Sequence, residues 1–203
     1  MKYVFITGDS YCLYRDNPEK HWPARVAEKL NLELLGEGYA GQGWWESRLD
    51  FVDKFVNNRD KYFDQTLVFI FVHTSPLRPI TAQKVHTDSE AYKFYVRHYL
   101  DEDVNYWCTT NWYKEINEHT KGKIVIHLHA FETTTNIGKM LEGTTLMPTL
   151  VDLSTVDHGG AVNTIRDDKV HNSMNASENH LTIGGNCQLA DKILGVIEET
   201  NSV

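Results

Sequence analysis

Residues Thr66 to Val72 read Thr-Leu-Val-Phe-Ile-Phe-Val. The run has no helical period and no polar alternation, so it reads as a strand apolar on both faces. Such a strand needs cover on both sides, which a parallel sheet between two layers of helices supplies. Tyr3 to Ile6 has the same β-branched and aromatic character and predicts a second buried strand.

The segments around these runs extend the pattern. Pro23 suits the first turn of a helix whose apolar face carries Val26, Ala27 and Leu30. Leu32 to Leu35 predicts a short strand, and the glycine-rich run 36–43 a turn. Residues 44–60 predict a helix with Trp45, Leu49, Val52 and Val56 inward. Residues 73–88 read as a loop, and 89–119 as a long helix with Tyr92, Tyr95, Val96, Tyr99, Trp107, Trp112 and Ile116 on one aromatic packing face. Lys123 to Leu128 and Leu146 to Leu153 predict the last two strands, joined by a polar loop over 130–145. After a loop over 154–180, Gly184 to Glu199 predicts a closing helix. This order implies a three-layer α/β/α sandwich with a parallel five-stranded sheet. No linker or repeat interrupts it, so 1–203 reads as one domain.

Charge narrows the partners. The net charge of -8 argues against a nucleic-acid backbone or an anionic membrane surface, since both require clustered Lys and Arg. No run reaches the length of a membrane span, and the short apolar N-terminal run reads as a strand, not a signal peptide. Cys12, Cys108 and Cys187 show neither disulfide nor zinc spacing, which points to a reducing compartment. His127 and His129 alternate within an apolar strand and so share a face. Two ligands do not complete a metal site, so they read as satisfied or surface histidines, with no metal and no cofactor expected.

Gly8-Asp9-Ser10 ends the first strand abruptly and places a serine at the carboxyl edge of the sheet, where open α/β folds carry their chemistry. The same serine equally suits a helix N-cap. If the topology is right, three further segments meet it: the turn containing Gly41 and Gly43, the stretch His73-Thr74-Ser75-Pro76-Leu77-Arg78, and Ser177-Glu178-Asn179-His180 ahead of the last helix.

In order and spacing these four segments, with Trp22-Pro23, resemble the SGNH/GDSL hydrolases, and within them divergent phage or environmental members. The resemblance implies a flavodoxin-like SGNH hydrolase fold and a serine esterase acting on small-molecule or carbohydrate esters. Ser10 would be the nucleophile and His180 its general base. The Ser10 and Gly43 N–H groups would hold the oxyanion, with Gly41 the second choice for the glycine. The family's Asn block and closing Asp are absent here. Thr74 or Ser75 would supply a hydroxyl in place of the Asn. Ser177 stands where the Asp is expected, so Glu178 or a main-chain carbonyl would orient the imidazole. Asp9, Gly41, Trp44, Ser75 and Arg78 would border the substrate, with Arg78 structural or anion-binding and Trp44 and Trp45 stacking on a sugar. The implied setting is cytoplasmic or virion-associated. The alternative is a non-catalytic binding or structural module that keeps the fold.

Overall fold

The central strand is the apolar run itself. In the computed structural model, which describes residues 1–12, 19–39, 44–74, 101–130, 140–157 and 181–202, β4 covers Thr66–His73. It lies between β1 (Tyr3–Asp9) and β5 (Ile124–His129), parallel to both. On the far side of β1 lie β2 (Glu33–Leu35) and β3 (Gly38–Tyr39), and β6 (Thr144–Leu146) closes the other edge. All of these pairings are parallel. The helices are α1 (Trp22–Leu30), α2 (Trp44–Val52), the short α3 (Arg59–Tyr62), α4 (Glu102–His119), α5 (Leu150–Asp157) and α6 (Ile183–Asn201). The chain is therefore an α/β protein with a parallel sheet flanked by helices, as expected.

The sheet has six strands, not five. β2 and β3 both pair with β1, and both at the same offset of 30 residues. They form one edge interrupted at Gly36-Glu37. Gly36 has φ +83°, and a Cβ there would sit 2.4 Å from the Ile6 carbonyl oxygen, so only glycine allows the kink. The Thr7 hydroxyl and the Gly8 N–H both donate to the Glu37 carbonyl and hold it, at 2.9 and 3.3 Å. The glycine run had read as a turn because two paired residues are too few to show a strand period.

Strand alternation builds two cores. One face of the sheet presents Val4, Ile6, Val68, Ile70, Val72, Ile126 and Leu128 to α1 and α6, with Trp22, Val26, Leu189, Ile193 and Ile197 packed against them. The other face presents Phe5, Phe69, Phe71 and Val125, covered by Phe51, Phe55, Trp112, Tyr113 and Ile116. Arg48 of α2 ties to Glu115 of α4 through two hydrogen bonds of 2.6 and 3.0 Å.

Three further expectations are corrected. The helix from residue 44 forms, but its inward positions are Trp44, Ser47 and Phe51, followed by Phe55 in a π-helical turn over Asp53–Asn57. Leu49 and Val56 face solvent. The face is one position off because the two phenylalanines complete the aromatic core and outweigh the aliphatic spacing. In α4 the inward residues are Asn105, Thr109, Trp112, Tyr113 and Ile116, while Trp107 is 68% exposed; positions 89–100 lie outside the described residues.

The strand expected over Leu146 to Leu153 is instead the end of β6 followed by α5. Pro148 has no N–H to continue a ladder, and Thr149 caps the helix, accepting from the Asp152 N–H at 3.3 Å and donating to its carboxylate at 2.5 Å. A short apolar run does not by itself separate strand from buried helix.

Candidate functional site

Along each central strand the aromatic face turns polar toward the carboxyl edge. β1 runs Phe5, Thr7, Asp9; β4 runs Phe69, Phe71, His73; β5 runs Val125, His127, His129. Thr7, Asp9 and the three histidines are all buried. The opposite face stays apolar through Val72, Leu128 and Ala130. The polar residues thus gather on the α2/α4 side of the edge where β1 meets β4. There the chain leaves β1 toward β2 on one side, and β4 lies on the other. Open α/β sheets bind ligands at such a reversal of strand order.

Ser10 begins a single 3₁₀ turn, Ser10–Cys12, directly after β1. Gly8 ahead of it has φ +144°, and a Cβ there would meet the Val72 carbonyl oxygen at 2.1 Å. The glycine of Gly-Asp-Ser is therefore demanded by the close approach of β4. The Ser10 hydroxyl is partly buried and donates to Asp9 Oδ1 at 2.8 Å. The Cys12 thiol donates to the Asp9 carbonyl at 3.0 Å, which secures the turn.

The 3₁₀ turn is joined to the last helix through buried polar contacts. Trp22 Nε1 donates to the Tyr11 carbonyl at 2.8 Å, and the Trp22 N–H donates to Asn186 Oδ1 at 3.1 Å. Asn186 Nδ2 donates in turn to the Leu181 and Thr182 carbonyls at 3.0 and 2.9 Å. Leu181 belongs to the same core cluster as Tyr11 and Cys12. Thr182 caps α6 by accepting from the Gly185 N–H at 3.1 Å.

Of the site residues expected from the sequence, Asp9, Ser10, Trp44, Trp45 and Thr74 are described. Trp44 is the first residue of α2 and Thr74 follows β4; both border one small cavity with Thr7, Gly8 and His73. Gly41, Gly43, Ser75, Arg78, Ser177, Glu178 and His180 lie outside the described residues.

The histidines form a chain that sequence reasoning only half found. His127 and His129 share a face as expected, but both are buried, and His73 joins them. His73 Nε2 lies 2.9 Å from His127 Nδ1, and His127 Nε2 lies 2.9 Å from the Glu142 carbonyl oxygen. A carbonyl only accepts, so His127 carries its proton on Nε2. Its ring is neutral, because burial pushes it down to about 4. Nδ1 must then accept, so His73 Nε2 donates. Burial, followed by the neighbouring His127 and His129, also holds His73 well below the usual histidine range, and burial lowers His129 as well. The Tyr113 ring packs edge-on against His73 at 4.7 Å, and burial pushes its phenol upward. The signal for His73 was its place at the end of β4, two residues beyond Phe71.

Among the described residues no group of three or more His, Cys, Asp or Glu side chains is arranged to hold a metal ion. No helix among them is long and apolar enough to cross a membrane. Comparison with known protein families and with curated proteins gives no match for the chain.

Proposed function

We propose that the protein is a serine esterase of the SGNH/GDSL kind, with Ser10 as nucleophile and His180 as its base, acting on small-molecule or carbohydrate esters. The observation that carries the reading is the buried chain of hydrogen bonds from Tyr11 through Trp22 and Asn186 to Leu181. It ties the residue after Ser10 to the residue after His180. Trp22 belongs to the sequence resemblance, and its double role as donor gives that residue a physical reason. The strand order supports the same reading: with β3 counted as the continuation of β2, it is the flavodoxin-like order 2-1-3-4-5.

In this reaction the Ser10 oxygen bonds to the ester carbonyl carbon and its proton passes to the His180 imidazole. The carbonyl π pair moves onto oxygen and returns as the alkoxide leaves, taking the proton from the imidazolium. Water then hydrolyses the acyl-serine by the same sequence.

The Ser10–Asp9 hydrogen bond favours a second reading, a binding module that keeps the fold. A serine hydroxyl committed to a carboxylate at 2.8 Å is not already aimed at a base. Fluorophosphonate labelling read by mass spectrometry separates the two. Attachment at Ser10, lost in Ser10→Ala, is the esterase result. An unlabelled wild type whose p-nitrophenyl acetate hydrolysis equals that of Ser10→Ala leaves the binding module.

A further inference from the structure

The small cavity at the carboxyl ends of β1 and β4 carries unused donors. Trp44 and Thr74 are each only 5% exposed, yet the indole Nε1 and the hydroxyl Oγ1 are buried with no hydrogen-bond partner. Both residues line this one cavity, at the start of α2, together with Thr7, Gly8, Ser47 and His73. An indole N–H can only donate. A buried donor with nothing to donate to carries its full desolvation cost. Valine at 74 would fill the same volume without that cost, and an aromatic ring at 44 needs no N–H to pack, so packing does not account for these two donors. A ligand oxygen that accepts from both would. The space is small, about 10 Å³, with room for about one such atom. Phe71 and Trp112 wall it, and Gly8 is already in contact with β4.

We propose that this cavity receives the carbonyl oxygen of the ester, with Trp44 Nε1 and Thr74 Oγ1 as side-chain donors to the oxyanion. The proposal rests on the esterase reading and adds to it a donor, Trp44, that replaces the family's missing Asn together with Thr74. As Ser10 bonds to the carbonyl carbon, the π pair that moves onto oxygen is met by two N–H and O–H dipoles already in place. Donors of this kind act on charge that develops in the transition state, so they affect kcat more than KM.

The test measures p-nitrophenyl acetate hydrolysis by wild type, Ser10→Ala, Trp44→Phe and Thr74→Val. Each donor variant should lose roughly 10- to 100-fold on acetate, mainly in kcat, while the Tm of Thr74→Val, which keeps the side-chain volume, holds or rises because an unpaired buried donor has been removed. That opposition of activity and stability is the signature that separates a ligand donor from a structural residue. If both variants hydrolyse acetate at the wild-type rate, the cavity holds water only and the proposal falls. If activity and Tm drop together in Thr74→Val, that hydroxyl is structural and the proposal falls as well. Absence of both Ser10-dependent hydrolysis and Ser10 labelling removes the esterase reading and this proposal with it.

Discussion

The two faces of the sheet are built differently. Against α1 and α6 the packing is mostly aliphatic, with branched residues of the sheet meeting Val26, Leu189 and Ile193, joined by Tyr11 and Trp22. Against α2 and α4 it is aromatic at the amino end and polar at the carboxyl end, where Phe69 and Phe71 give way to His73, and Val125 to His127 and His129. The aliphatic face also carries the buried hydrogen bonds of Trp22 with Tyr11 and Asn186. The aromatic face serves stability over half its length and then carries buried imidazoles, a buried Asp9 and several unpartnered polar atoms, among them Trp44 Nε1, Thr74 Oγ1 and His129 Nδ1. Polar groups in such a place are costly unless they are paired or used. The contrast gathers the buried titratable groups on one side of one edge.

The largest way to break that comparison is at the middle of the aromatic face. The Phe51 ring lies 5.2 to 6.0 Å from those of Phe55, Phe71, Trp112 and Phe5, and it is fully buried. Phe51→Ala should cost about 3–5 kcal/mol in denaturant unfolding. A loss under about 1 kcal/mol would mean that this face is loosely packed.

Acid should act on the polar half of the same face. Burial lowers His127 to about 4, so the folded chain binds a proton less readily than the unfolded chain, whose histidines titrate near 6.5. The contribution is complete above about pH 6.5 and is lost as pH falls toward 4, about 3 kcal/mol from His127 alone. His73 and His129 shift the same way and steepen the loss. Unfolding free energy measured from pH 7 to 4 should fall accordingly. The double variant His73→Phe/His127→Phe, which continues the phenylalanine pattern, should flatten most of the slope; an unchanged slope would assign it to carboxylates elsewhere.

The aliphatic face should respond less and without pH dependence. Ile193→Val removes one methylene from a fully buried site and should cost about 1 kcal/mol at pH 7 and pH 5 alike. A cost that grew at low pH would couple the two faces. The smallest effect is expected at Trp107, exposed on the outer side of α4: Trp107→Ser should stay within about 0.5 kcal/mol in thermal unfolding.

Sequence alone determined the layers. The runs at 3–6, 66–72 and 123–128 and the α1 and α6 patterns are local signals, because backbone preference and two-sided burial leave their mark within a few residues. Gly8-Asp9-Ser10 was legible for the same reason. What tertiary structure decided was whatever depends on distant partners. The inward face of α2 follows from where Phe5 and Phe71 leave room, not from its own spacing. Leu150–Asp157 is a helix because Thr149 caps it after Pro148. His73 joins His127 across 54 residues, and Trp44 meets Thr74 in one cavity across thirty. Burial and hydrogen-bond satisfaction are properties of the packed chain, so no window of sequence contains them.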